Sequence, residues 1–169
     1  MCDFLSAIVL KNGDCLTHPM LDSHADLVTY FKLPDVTVGI AHFVKVEYTP
    51  NDWLDPNTWI FKVDEETLPH WWSAAMETAT RETLLRRAKT MILLEGAHQL
   101  IVDGAWIVGG TAVVSDVRGG RILRVMDSAQ IHDVGDSAQI YNVMGSAQIH
   151  NVRGSAQIRN VGGSAQIHD

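Results

Sequence analysis

The chain is poor in cysteine, in positive charge and in long apolar runs, and each shortage excludes something. Cys2 and Cys15 are its 2 cysteines in 169 residues, too few for a disulfide framework and in keeping with a reducing compartment. Lys and Arg number 13 against 20 Asp and Glu, for a formal charge of −7. Such a balance offers no electrostatic footprint to a phosphate backbone, so nucleic acid is not an expected partner. No apolar run approaches the ~18–20 residues of a membrane helix, and no membrane partner is expected. The start, "MCDFLSAIVLKNGD", has neither a basic n-region nor a small-residue cleavage site. That predicts no signal peptide and a cytoplasmic protein.

What is present is repetition. Read back from the end, the chain steps in nines: GSAQIHD (163–169), GSAQIRNVG (154–162), GSAQIHNVR (145–153), DSAQIYNVM (136–144) and DSAQIHDVG (127–135). Worn units precede them: GTAVVSDVR (110–118), GGRILRVM (119–126) and DGAWIVG (103–109). Within a unit Ala and Ile are two apart and share one face of a strand, while Ser and Gln take the other. Asp or Asn before Val, and Gly at the unit boundary, are turn residues. One such strand buries nothing alone, but stacked units do, which predicts a parallel β-solenoid over 103–169.

The sixth position of each unit reads His132, Tyr141, His150, Arg159, His168. Histidine returns every second unit, so two units per coil are expected, with a His132–His150–His168 column on one face and Tyr141 with Arg159 on the other. Strand spacing would set the rungs ~4.8 Å apart. Calcium-binding β-rolls also use nine-residue units, but their Gly-x-Gly-x-Asp loop is missing here, and so is the six-residue period of left-handed acyltransferase helices. No cofactor is expected.

Residues 1–102 read as an α+β head. "FLSAIVL", Asn12-Gly13 and "CLTH" make a hairpin in which Cys15 lies across from Leu10, far from Cys2. "DSHADLVTYFKL" is a helix capped by Asp22 or Ser23. "HFVKVEYT" (42–49) and "TWIFKVD" (58–64) are strands. Glu65, Glu66, Thr67 and Pro69 mark the start of a helix carrying "HWW" on its first turn and ending near Gly96, with a bend near Thr80–Thr83. No Pro/Ser-rich linker separates head from tail, so the head is expected to pack on the array and cap one end.

Three constellations bear on chemistry. Removal of Met1 would leave Cys2 with thiol and α-amine together, the pairing used by N-terminal-nucleophile hydrolases. "MCDFLSAIV" is similar to the start of glutamine amidotransferases, over Met1-Cys2 and one apolar strand. No oxyanion or glutamine-binding motif follows, and the head is too short for that four-layer fold. A small apolar residue opening an edge strand is the preferred reading of Cys2. The head histidines His18, His24, His42, His70 and His98 lack the spacing of a helical metal site. "HPMLDSHAD" does bring His18, Asp22 and His24 near one another. On the tail, adjacent imidazoles of His132, His150 and His168 could share a metal or charge together below pH ~6.5, against the plainer reading of a solvated column kept by duplication. No metal site is therefore expected.

A "MCDFLS" start, a short α/β head with "FVKVEYT" and a tail of Ser-Ala-Gln-Ile units resembles uncharacterised proteins of tailed bacteriophages and gut metagenomes. The resemblance spans the chain. It implies phage origin and action inside a bacterial host, and it brings no residue roles. The residues themselves favour a non-enzymatic role for the solenoid, which would bind a host protein or a second copy of the chain. The last coil, with Ile167 in its apolar end, has no capping helix, so a tail-to-tail homodimer is expected. Binding residues would be His132, His150, His168, Tyr141, Arg159 and Ile167. The competing functions are a small cysteine hydrolase using Cys2, and a module binding metal or a small ligand at the His column or the head-solenoid cleft.

Overall fold

A computed structural model describes residues 5–34 and 42–168. Two compact units divide the chain, Met1–Lys89 and Thr90–Asp169.

The first unit is built on a four-stranded antiparallel sheet. β1 (Leu5–Leu10) and β2 (Cys15–Leu16) form the expected hairpin, and β3 (Phe43–Thr49) and β4 (Ile60–Val63) complete the order β2-β1-β3-β4. The hairpin differs from expectation by one residue of register: Cys15 faces Val9, not Leu10. Leu10 and Asp14 close the turn instead, through Leu10 N to Asp14 O at 2.9 Å, and Gly13 takes a left-handed φ of 91°. This is the three-residue loop with glycine in the left-handed position, not a two-residue Asn-Gly turn. Asn12 Oδ1 accepts the Asp14 N–H.

Helix α1 (His24–Tyr30) is capped by Ser23, whose side chain accepts the Asp26 N–H. Leu27 buries itself against Ile8 and Phe43, so α1 covers one face of the sheet. Between β3 and β4 a 3-10 turn, Pro56–Thr58, is capped by the Asp55 carboxylate. It receives the Tyr48 hydroxyl on the Pro56 carbonyl at 2.8 Å, and the buried Trp59 donates its indole N–H to Asp52 O at 2.7 Å.

Helix α2 (Ala74–Thr90) is shorter than the sequence suggests at both ends and is one continuous element. The Ser73 hydroxyl accepts the Met76 N–H, so the helix starts at this cap and not at the Glu65–Pro69 stretch, where Pro69 instead closes a turn onto the Trp72 N–H. Trp71 and Trp72 consequently precede the helix, packed edge to face. Thr80, Leu84 and Ala88, spaced by four, are its buried stripe, and Arg81 lies over the Phe61 ring at 5.2 Å.

The second unit is the parallel β-solenoid, of about four turns. It begins at once after α2 with β5 (Ile92–Leu93) and β6 (Ala97–Ile101), residues expected to lie in the helix or the head. β7 (Ala105–Val108), β8 (Val113–Val117), β9 (Arg121–Val125), β10 (Gln130–Val134), β11 (Gln139–Val143), β12 (Gln148–Val152), β13 (Gln157–Val161) and β14 (Gln166–Ile167) follow. Two five-stranded parallel sheets result, β14-β12-β10-β8-β6 and β13-β11-β9-β7-β5. Gln130 pairs with Gln148, Gln148 with Gln166, and Gln139 with Gln157. Each coil therefore holds two repeat units. Two of the worn upstream units, 103–109 and 119–126, are shorter, and the register shifts between Trp106 and Ile107 where β7 meets β9.

Every inward position of the regular coils is small or branched: Ala129, Ile131, Val134, Ala138, Ile140, Val143, Ala147 and Ile149 are fully buried. Ile and Val are three apart, so strict alternation would send them to opposite faces. They share the interior because the strand bends at the two outward residues between them, such as His132-Asp133, and the His132–His150 step is missing from the ladder pairs. At each unit boundary the backbone is left-handed, φ 57° at Asp127, 50° at Asp136 and 69° at Gly145, Gly154 and Gly163.

Candidate functional site

The sixth-position side chains stand as expected on two faces. His132 and His150 have ring centroids 5.5 Å apart and meet edge to face, while His150 and His168 stack at 5.5 Å. The spacing exceeds the strand spacing because the rings tilt. Across the coil the Arg159 guanidinium lies over the Tyr141 ring at 4.6 Å, a cation–π contact. Tyr141 also donates its hydroxyl to Gln139 Oε1 at 3.1 Å. Asn160 Nδ2 donates to Asn142 Oδ1 at 3.3 Å, and Asn142 Nδ2 to the Leu123 carbonyl at 3.2 Å, so one column of the repeat is joined by amides from coil to coil.

A shallow groove of about 330 Å³ on this unit is lined by Asp116, Arg118, Gly135, Asp136, Arg153 and Gly154. Its arginines are paired, Arg118 with Asp116 at 2.6 Å and Arg153 with Asp133 at 2.9 Å. Ile167, set at the last coil, is half-buried.

The first unit holds a cluster that the spacing of its residues hides. α1 begins at His24, whose ring is buried over β3. Nε2 lies 3.0 Å from the Val46 carbonyl. A carbonyl only accepts, so Nε2 carries a proton there, and Nδ1 points toward Asp64 Oδ2 at 3.4 Å. Glu47, on the central strand β3, joins them: one donor atom each of His24, Glu47 and Asp64 lie within 4.8 Å of one another. Lys62 sits on the other oxygen of Asp64, Nζ to Oδ1 3.7 Å. Ser6, paired across from Glu47 in β1, donates to the Asp22 carbonyl at 2.6 Å and ties the loop before α1 to the sheet.

The grouping of His18 and Asp22 with His24 does not form. The His18 ring packs on Tyr30 at 4.4 Å, and its Nδ1 accepts the Met20 N–H. His24 instead turns to residues 23 and 40 positions downstream. Glu47 reads in the sequence as one more outward charge on an alternating strand, and only its burial beneath α1 marks it. Cys2 lies outside the described residues. Cys15 is a free thiol, and burial pushes its pKa up to about 11. Among the described residues no helix is long and apolar enough to cross a membrane.

No protein family, curated protein or solved structure matches the chain.

Proposed function

We propose that this is a non-enzymatic accessory protein of phage type whose solenoid binds protein, acting in the cytoplasm of a bacterial host. The observation that carries the reading is the coil-by-coil identity of the outward columns. His132, His150 and His168 stand at a constant 5.5 Å spacing, on coils whose fully buried residues are Ala, Ile and Val. A surface that repeats along one axis matches a partner that is itself extended or repeated, and it costs little ordering entropy to bind because the coil is already fixed. The residues offered are His132, His150, His168, Tyr141, Arg159 and Ile167.

Self-association is the specific form we put first. β13 and β14 have a parallel neighbour on one side only among the described strands. Val161 is 51% exposed where its counterpart Val143 is fully buried. A second copy meeting this coil tail to tail would cover those side chains and the strand edges together. Light scattering on the 169-residue chain tests it. A mass near twice 18.7 kDa at micromolar concentration is expected, and Val161→Lys should return it to monomer. A monomer throughout would remove self-association and leave a host protein as the partner, to be sought by pull-down with a His132/His150/His168→Ala chain as the control.

A further inference from the structure

We propose that His24, Glu47 and Asp64 form a binding site for a divalent transition-metal ion, with zinc the best fit. The site is independent of the solenoid and of the protein-binding role proposed for it.

Burial argues first. Glu47 is 7% exposed and His24 5%. A carboxylate on so largely buried a residue keeps only a narrow edge to water, and a cation or hydrogen-bond donors beside it would stabilise it. Among the described residues the Glu47 carboxylate has no hydrogen bond and no ion pair with lysine or arginine. It faces Ser6 across β1 and Lys62 across β4, and the other two members of the cluster lie within 4.8 Å.

Geometry argues second. Four tetrahedral bonds of ~2.0–2.1 Å place neighbouring donors ~3.3 Å apart. His24 Nδ1 and Asp64 Oδ2 stand at 3.4 Å. One oxygen of Glu47 lies within 4.8 Å of a donor atom of each, and the Asp64 side chain, 42% exposed, has room to adjust. Metal-binding histidines commonly fix the ring by donating the other N–H to a carbonyl or carboxylate. Nε2 and the Val46 carbonyl, 3.0 Å apart, supply that contact. Lys62 at Oδ1 leaves Oδ2 as the coordinating oxygen of Asp64.

The donor set selects the ion. One imidazole nitrogen and two carboxylate oxygens suit zinc, manganese or ferrous iron, whereas calcium and magnesium take oxygen alone. Three protein donors leave a fourth position for water or an anion.

The alternative is a metal-free cluster, with a charged His24 paired to Asp64. Titration of the chelator-treated full chain with zinc by calorimetry, and with cobalt(II) by visible absorption, separates the two. The site predicts one equivalent of zinc per chain and cobalt bands of a low-coordinate nitrogen/oxygen site. Asp64→Asn should weaken zinc binding at least tenfold and Glu47→Gln more. The triple variant His132→Gln/His150→Gln/His168→Gln should keep its one equivalent. The proposal is overturned if the folded wild-type chain binds no zinc. It is equally overturned if binding vanishes in the triple variant and is unmoved by Asp64→Asn. Asp64 is the exposed member, so its variant decides the matter should Glu47→Gln fail to fold, as judged by circular dichroism.

Discussion

The two units bury different things. Ser6, His24, Glu47 and Thr80 are the buried polar residues among those described, and all four belong to the first unit. The solenoid interior is Ala, Ile and Val on every regular rung. The difference follows from how each is specified. A repeated phrase must satisfy the same constraints in every coil, so an uncompensated polar group inside would be paid for once per turn. A sheet crossed by one helix has positions that occur once, and His24 and Glu47 can meet there without a copy. Individual chemistry is therefore found in the first unit, and a regular surface in the second.

Regular coils need not be energetically alike. Ile140 is fully buried, while Ile158, the same residue of the next unit in its column, is half-buried. Ile140→Ala should cost ~2–5 kcal/mol and Ile158→Ala about 1 kcal/mol, because the second site has fewer neighbours to lose. Urea unfolding of the two variants measures it. Equal costs would mean that the last coil is covered in solution, which is what self-association requires.

Cys15 offers the next largest effect, in the first unit. With its pKa raised from 9.0 to about 11 by desolvation, its thiolate at pH 8 is ~100-fold scarcer than that of an ordinary thiol. Burial favours the neutral form, so reactivity should climb only as the pH rises toward 11. Iodoacetamide labelling read by peptide mapping should show the Cys15 peptide modified about two orders of magnitude more slowly in the native chain than in urea. A native rate near the unfolded one would show that β2 opens readily.

Much of the fold could be read before any coordinates. The Ser-Ala-Gln-Ile phrase specifies strand and inward face, because a period repeated that often averages over local noise, and the alternation of the sixth position specifies two units per coil. The hairpin at Asn12-Gly13, the Ser23 cap and strands 42–49 and 58–64 carry strong local signals. Two things were hidden. The sequence makes α2 too long because Met91, Ile92 and Leu93 continue an apolar pattern that serves a buried strand as well as a helix. Parallel pairing of Ile92 with Ile107 decides between them, and that contact is not local. The His24–Glu47–Asp64 cluster was hidden for the same reason: its members sit on α1, on β3 and just past β4, and only the placement of α1 across the sheet brings them together. The columns His132–His150–His168 and Tyr141–Arg159 were legible because their partners are one coil away by construction.

The unit boundary gives a finer test of how repetition constrains sequence. Asp127, Asp136, Gly145, Gly154 and Gly163 occupy equivalent left-handed positions. At Gly145 an added Cβ would come within 2.9 Å of Asp127 N and 3.1 Å of its O, since the turns stack directly on one another. Gly145→Ala should destabilise by ~1–2 kcal/mol, through left-handed strain and that close approach. Asp136→Gly runs the other way and should stabilise by up to about 1 kcal/mol, relieving strain at φ 50°. Asp127→Gly should gain less, because the Asp127 carboxylate accepts the Gly110 N–H at 3.2 Å. Thermal unfolding of the three variants orders them.

The smallest effect expected is at the ion pairs of the solenoid surface. Arg153 and Asp133 lie 2.9 Å apart, but their side chains are 65% and 30% exposed. Water screens them and two side chains must be held still, so Arg153→Gln should cost no more than about 0.5 kcal/mol and less in high salt. The same substitution is more informative as a binding probe. Arg153 lines the groove with Arg118 and Asp136, off the columns of sixth-position residues. If the columns carry the partner contact and the last coil carries self-association, Arg153→Gln leaves both unchanged while Val161→Lys abolishes the latter. Loss of capture in Arg153→Gln, with stability intact by urea unfolding, would move the binding surface from the columns to the groove.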